Sequence, residues 1–250
     1  MNIRHKTKTA LFFIGMSMAL LITQQLASRL GNVVANELSY ASIDPYGIFA
    51  RVSVHHVVQM AVGLLLILIL GNLFKLDFGM KLGKRKSGLK ATALFAVVLG
   101  GYTLVAYIIL LFSGGLPAYD FPLNVQNVSG TLGFQLFLSG PSEEVLFRAL
   151  PITMLVFAGG KSINFIKIKN IRVSLECFVS ALLFSFAHVH WSLAAFSISA
   201  DTFQLVYAFV LGVIYGVVYQ KTGSVVYPML MHSISNVVMV GTGYVFAVFG

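Results

Sequence analysis

The chain has 250 residues, of which 58% are hydrophobic and only 10% are charged, and its formal net charge is +9. A soluble protein carries roughly 25% charged residues, so this composition excludes an ordinary soluble domain. The length suits one membrane domain of about seven helices. We therefore expect an all-α, polytopic transmembrane helical bundle of about 7–8 membrane helices, built as a single domain over residues 1–250.

Seven apolar segments predict the membrane spans, in chain order. They run from about Thr9 to Leu26, Val52 to Phe74, Ala91 to Phe112, Pro141 to Ala158, Val173 to His188, Phe203 to Tyr219, and from near Ser224 toward the C-terminus. A span needs about 20 predominantly apolar residues, and these segments come close to that length. The first follows a basic stretch but has no small-residue cleavage site after it, so we expect an uncleaved span.

Two features leave the number of spans open between seven and eight. The short apolar piece Leu132–Leu138 is followed by Ser139, Gly140 and Pro141, which predict a break and a new helix with Pro141 in its first turn. The pair Gly241 and Gly243 predicts a second break, within the last span.

The basic residues give the orientation, because Lys and Arg are concentrated in cytoplasmic loops. They cluster before the first span and after the second, fourth and sixth spans, and the intervening loops carry few of them. We therefore expect a cytoplasmic N-terminus and an external C-terminus. Because the basic residues fall in short loops rather than on a separate surface, we expect no nucleic-acid partner. The single Cys177 excludes an internal disulfide.

The segment from Glu143 to Arg148 is the first candidate for chemistry. An ionisable residue inside a bilayer costs about 2.5–3.5 kcal/mol on insertion scales, so each one needs a reason to be there. Glu144 and Arg148 are four residues apart and share a helix face, where they can pair. Glu143 points about 100° away and stays available for other work. The alternative is an ion pair that only locks two helices together.

Two further elements carry histidines. Phe184 and His188 lie four residues apart at the end of the fifth segment, and His232 and Asn236 share a face of the last one. A single histidine at a helix end is more often structural, and a His/Asn pair is equally consistent with hydrogen bonding between helices. Together with Glu143, however, they form a hydrolase set. A carboxylate assisted by an imidazole can deprotonate water, and a His/Asn pair can stabilise an oxyanion.

The three motifs, in this order on three apolar segments, resemble those of the CPBP family of intramembrane proteases. This family comprises CAAX proteases and bacteriocin-processing enzymes, is also called Abi, and includes prenyl-protein endopeptidases. The resemblance covers about Gly130 to Val240, so we expect a catalytic core near residues 130–240. The first three spans match only as generic membrane helices.

The resemblance implies a glutamic endopeptidase with its site inside a helical bundle. It implies that Glu143 and His188 activate water and that His232 and Asn236 form the oxyanion site. Glu144, Arg148 and Phe184 would then have supporting positions. Glu143, His188 and His232 could in principle bind zinc, but the chain has no H-E-x-x-H helix, so we expect neither a metal nor another cofactor.

We therefore expect an enzyme of the bacterial plasma membrane that cleaves a small peptide or small protein. Candidate roles are the processing of a bacteriocin, pheromone or leader peptide, or self-immunity, with membrane lipid as the other contact. One alternative is a non-catalytic scaffold or immunity protein that regulates a partner. A proton-coupled transporter is a third possibility, but the repeated interrupted helices that it predicts are not found. The charge pattern places the site in the outer half of the membrane.

Overall fold

A computed structural model of the protein describes residues 3–169, 171–192 and 197–250. Nine α-helices lie in this described part of the chain: α1 (Ile3–Asn36), α2 (Ala50–Phe74), α3 (Arg85–Ser113), α4 (Val125–Phe134), α5 (Gly140–Glu144), α6 (Leu150–Gly159), α7 (Leu175–Phe186), α8 (Thr202–Thr222) and α9 (Val226–Phe249). Two π-helical segments join α4 to α5 and α5 to α6, so residues 125–159 form one continuous helical run. The described chain thus has seven helical runs.

The expected all-α polytopic bundle is confirmed. Five helices, α1, α2, α3, α8 and α9, are long and apolar enough to cross a membrane, and α7 is a shorter apolar helix of 12 residues. Large apolar side chains such as those of Val97 and Phe112 cover the outward surfaces and are 74% and 87% exposed. Such exposure suits hydrocarbon rather than water as the surrounding solvent. We conclude that the protein is a multi-pass membrane protein.

Two short hairpins complete the described chain. Strands β1 (Asn164–Ile168) and β2 (Ile171–Ser174) pair antiparallel between α6 and α7, and β3 (His190–Ser192) pairs with β4 (Ser197–Ser199) between α7 and α8. The fifth span was therefore predicted too long. Val173 lies in β2, and α7 begins at Leu175 because the Ser174 side chain accepts a hydrogen bond from the Cys177 N–H as its N-cap.

The predicted break at Ser139, Gly140 and Pro141 is wrong, because the helical run continues through all three residues. Pro141 has no N–H to donate within a helix, and the π-helical turn Gln135–Ser139 directly before it changes the hydrogen-bonding register there. Gly140 is required for packing against α9. A Cβ at this position would lie 2.6 Å from the Ser233 Oγ and 2.9 Å from the Met229 carbonyl oxygen.

The predicted break at Gly241 and Gly243 is also wrong, because α9 is continuous from Val226 to Phe249. Gly243 instead allows close packing of aromatic residues. A Cβ there would lie 2.6 Å from each of the hydroxyl oxygens of Tyr107 and Tyr119. The first span is also longer than predicted, since α1 continues to Asn36.

Helix α5 and the π-helical turn after it lie at the centre of the bundle. On one side α5 packs against α2, and on the other it packs against α9. Consecutive side chains from Glu144 to Ile152 are all buried, so this part of the run has no lipid-facing side. Any polar group carried here must find its partners inside the protein.

The loop before α2 is held by the buried side chain of Asp44. Its carboxylate accepts hydrogen bonds from the backbone N–H groups of Ile48, Phe49 and Ala50 at 3.0, 2.8 and 2.7 Å. These groups surround the start of α2, where helical N–H groups lack partners within the helix. Burial opposes ionisation, but these backbone donors together with that of Gly47 outweigh it and hold the pKa of Asp44 below its ordinary value of 3.8.

We expect Asp44→Ala to lower the unfolding temperature at neutral pH, because losing a helix cap costs about 0.5–2 kcal/mol. A carboxyl whose pKa is lowered by folding stabilises the protein above its unfolded-state pKa. That stabilisation is lost as the pH falls below 3.8. The gap between variant and parent, measured by thermal unfolding in detergent, should therefore narrow in acid. Asp120→Ala, at an exposed loop position, is the control, and an equal effect of both variants would contradict the capping role.

Candidate active site

The innermost feature of the site is the ion pair between Glu144 and Arg148. The Arg148 Nε lies 3.3 Å from the Glu144 Oε2, and both side chains are fully buried. The guanidinium also stacks on aromatic faces, with its central carbon 4.2 Å from the ring centre of Phe184 and 5.6 Å from that of Tyr215. Such cation–π contacts are strongest where water is absent. The pair predicted from the four-residue spacing is therefore present, with Phe184 packed against it.

His232 connects this ion pair to Glu143. Its Nδ1 lies 2.9 Å from the Glu144 Oε1, and its Nε2 lies 3.6 Å from the Glu143 Oε2. The ring stacks on Tyr215 at 5.4 Å between centres and meets Phe184 edge-on at 5.8 Å. The imidazole is thus fixed in position and orientation, with one nitrogen directed toward each carboxylate.

Glu143 differs from its neighbour in exposure and in partners. Its side chain is 17% exposed, whereas that of Glu144 is completely buried. Imidazole nitrogens lie near both carboxylate oxygens, the His56 Nε2 3.8 Å from Oε1 and the His232 Nε2 3.6 Å from Oε2. Both separations exceed the length of a hydrogen bond. Glu143 therefore keeps acceptor capacity for another molecule.

His188 lies in the turn after α7, two residues beyond the end of that helix at Phe186, whereas the predicted fifth span included His188. Its Nδ1 donates to the Phe184 carbonyl oxygen at 2.9 Å, which leaves Nε2 as the free acceptor. The ring lies within electrostatic range of Glu143, but among the described residues the ion pairs within 4 Å of Glu143 involve His56 and His232. His188 is thus near Glu143 without contacting it directly.

Asn236 lies one turn beyond His232 on α9, and its Nδ2 donates to the Ser139 Oγ at 2.9 Å. Ser139 ends the π-helical turn before α5, so this bond connects α9 to the same helical run that carries Glu143. The side chain of Asn236 is partly exposed. One N–H and the carbonyl oxygen of its amide therefore stay available to a ligand.

His56 lies in the site in the structure, although none of the three sequence motifs includes it. It lies on α2, is 8% exposed, and its Nδ1 is 2.7 Å from the Ser142 Oγ. The available signal was a pair of adjacent histidines, His55 and His56, within an apolar span, where ionisable residues are costly. Within the described chain, no group of three or more His, Cys, Asp or Glu residues has the arrangement of a metal site.

In a comparison with known protein families, residues 126–238 match the family described as "Type II CAAX prenyl endopeptidase Rce1-like". These residues include Glu143, His188, His232 and Asn236 but not His56. Comparisons with curated proteins and with solved structures found no match.

We expect Arg148→Leu to lower the free energy of unfolding by about 3–5 kcal/mol, because it removes the guanidinium that pairs with the buried Glu144 carboxylate. The double variant Glu144→Leu/Arg148→Leu should recover part of that loss, since it removes both charges together. Thermal unfolding in detergent measures both effects.

The exposed pair Asp77 and Lys81 provides the control. It has the same four-residue spacing, with a separation of 3.9 Å and side chains 71% and 85% exposed. Lys81→Ala should change the unfolding free energy by less than about 0.5 kcal/mol. If Arg148→Leu were no more damaging than Lys81→Ala, the central structural role of the buried pair would be refuted.

Proposed function

We propose that this chain is an intramembrane glutamic endopeptidase with Glu143 as its general base, because its residues 126–238 match the Rce1-like family described as type II CAAX prenyl endopeptidase. The observation that carries this proposal is the contrast between adjacent carboxylates. Glu144 is paired with Arg148 and fully buried, whereas Glu143 is 17% exposed and lies between two imidazoles. Of the two, only the Glu143 carboxylate is free to accept a proton from water.

The first step of the proposed reaction is deprotonation of water at Glu143. One water proton goes to the carboxylate while the water oxygen attacks the peptide carbonyl carbon. The other water hydrogen needs an acceptor near the carboxylate, and the free Nε2 of His188 is one imidazole nitrogen in that region. When the tetrahedral intermediate collapses, the C–N bond breaks and Glu143 returns the proton to the leaving amine. The carboxylate is then ready for another cycle.

His232 and Asn236 suit the second requirement, stabilisation of the negative oxygen of the intermediate. The free amide N–H of Asn236 is one donor. His232 can donate from Nε2 while Nδ1 donates to Glu144 only if both nitrogens carry hydrogens, which gives the ring a positive charge. That charge balances the net −1 of Glu143, Glu144 and Arg148. A preorganised donor of this kind is worth about 2.7–4 kcal/mol in other hydrolases.

The depth of the site supports a substrate on the external side. Along α2, His56 is six residues after Ala50 but 18 residues before Phe74, which correspond to about 9 and 27 Å at 1.5 Å per residue. The distant end carries the basic loop with Lys81 and Lys84, and basic loops are cytoplasmic. We therefore propose an enzyme of the bacterial plasma membrane that processes exported peptides, such as a bacteriocin, pheromone or leader peptide.

We expect Glu143→Gln to abolish a specific set of peptide cleavages, because glutamine cannot take a proton from water. Cells expressing the parent or the variant are compared by mass spectrometry of peptide termini in membranes and medium. Termini that depend on the protein should fall by about 10²–10⁴-fold in the variant. Glu37→Gln, at an exposed carboxylate after α1, should leave them unchanged. Persistence of the termini in Glu143→Gln, with normal membrane insertion, would refute the proposal.

We expect labelling of single cysteines to show that the site opens toward the external side. In a Cys177→Ala background, Asp120→Cys lies in the loop between α3 and α4, and Lys81→Cys lies in the basic loop. A membrane-impermeant maleimide should label Asp120→Cys in intact cells and Lys81→Cys only after lysis. The reverse pattern would place access on the cytoplasmic side and exclude exported peptides as substrates.

A further inference from the structure

His56 is a histidine of the site that lies outside the family match of residues 126–238. It comes from α2, a helix that the sequence motifs do not include, and it reaches α5 across the helix interface. Its ring is fixed by the Ser142 hydroxyl at 2.7 Å from Nδ1 and by an edge-on contact with Phe134 at 5.0 Å between ring centres. The other nitrogen, Nε2, is directed toward the Glu143 Oε1 at 3.8 Å.

The hydrogen bonds around Ser142 assign the hydrogen on this ring. The Ser142 hydroxyl donates its only hydrogen to the Ser139 carbonyl oxygen at 3.1 Å. With that hydrogen used, the hydroxyl acts as an acceptor towards His56, and in the matching tautomer the His56 Nδ1 carries the hydrogen and donates it. In the neutral ring Nε2 is then an acceptor. Two acceptors, Nε2 and the Glu143 Oε1, thus face each other without a hydrogen between them.

Facing acceptors of this kind require a donor, and a water molecule supplies two hydrogens. We propose that His56 is a further residue of the water-binding site, with its Nε2 accepting one hydrogen of the water molecule that Glu143 deprotonates. This inference rests on the proposed function. One water hydrogen goes to Glu143 and the oxygen attacks the peptide carbonyl. The second hydrogen stays on that oxygen, hydrogen-bonded to His56, until it becomes part of the product acid.

The positions of the neighbouring groups support this division of roles. The two oxygens of Glu143 each face a different imidazole, Oε1 facing His56 and Oε2 facing His232. His232 is committed to Glu144 through its other nitrogen and suits the oxyanion side. The other nitrogen of His56 is hydrogen-bonded to the neutral hydroxyl of Ser142. His56 is therefore suited to bind the attacking water. Its neighbour His55 packs against α1, where a Cβ at Gly31 would lie 2.8 Å from the His55 Nδ1.

Two substitutions of His56 distinguish the roles of its two ring nitrogens. Glutamine places its terminal amide near the position of Nε2, so His56→Gln keeps an acceptor for the water. Asparagine places its amide near Nδ1, so His56→Asn keeps the contact with Ser142 but has nothing facing Glu143. Kinetics are measured in proteoliposomes on a peptide whose cleavage was lost in Glu143→Gln. Loss of a transition-state contact lowers kcat and kcat/KM together and leaves KM unchanged.

We expect His56→Asn to lower kcat by about 10–100-fold, with KM unchanged, and His56→Gln to retain at least about tenfold more activity than His56→Asn. His55→Gln is the matched control on the same helix and should have the kcat of the parent. If both His56 variants kept the parental kcat while Glu143→Gln was inactive, the role of His56 would be refuted and the proposed function would stand. If Glu143→Gln were active, the proposed function itself would fail.

A purely structural role for His56 gives a different pattern. Asparagine keeps the bond to Ser142, so His56→Asn would then retain more activity than His56→Gln, and this order would overturn the inference. Ser142→Ala provides a second readout if His56→Asn does not fold. It removes the acceptor that fixes the ring and should lower kcat without changing KM. A parental kcat in a folded Ser142→Ala variant would also contradict the proposal.

Discussion

The Glu144–Arg148 ion pair is the interaction on which the rest of the site depends. Two charges that are completely removed from solvent must be paired and surrounded by suitable groups, because neither water nor lipid can stabilise them. Phe184 and Tyr215 supply aromatic faces to the guanidinium, and His232 supplies a nitrogen to the carboxylate. The pair therefore draws α7, α8 and α9 around the central helical run. The same packing leaves the adjacent Glu143 with its carboxylate directed to the partly exposed side.

The π-helical turns explain how one helical run can direct polar side chains to more than one neighbouring helix. The turn Val145–Ala149 carries Arg148, and the turn Gln135–Ser139 ends at the residue that binds Asn236. Each inserts extra backbone into a helix and changes the direction of the side chains beyond it, and such turns are frequent at functional sites. The short helix α5 between them therefore differs in register from both of its neighbours. It carries Ser142, which contacts His56 on α2, and it also carries both glutamates.

The sequence was sufficient for the apolar spans and for contacts within one helix, because these depend on local spacing. The Glu144–Arg148 pair is the clearest example. The sequence was insufficient where contacts between distant segments decide the local structure or which residues lie in the site. Ser139, Gly140 and Pro141 have the local preferences of a break, but the helix runs through them, with a π-helical turn before Pro141 and with Gly140 packed closely against Ser233 of α9. His56 could not be assigned to the site, because its contact with Ser142 joins residues 86 positions apart.

The length of α7 has a consequence for how water reaches the proposed site. Its 12 residues extend about 18 Å, whereas the hydrocarbon core of a bilayer is about 30 Å thick. A helix of this length inside the core has at least one end at membrane depth, and beyond Phe186 the chain continues through the turn with His188 to the strand pair β3–β4. Non-helical backbone at such depth is tolerated only where protein buries it or water-filled space adjoins it. The proposed hydrolysis requires water beside Glu143, and the turn after α7 carries His188, which lies near that carboxylate, so water-filled space at this turn would adjoin the proposed site.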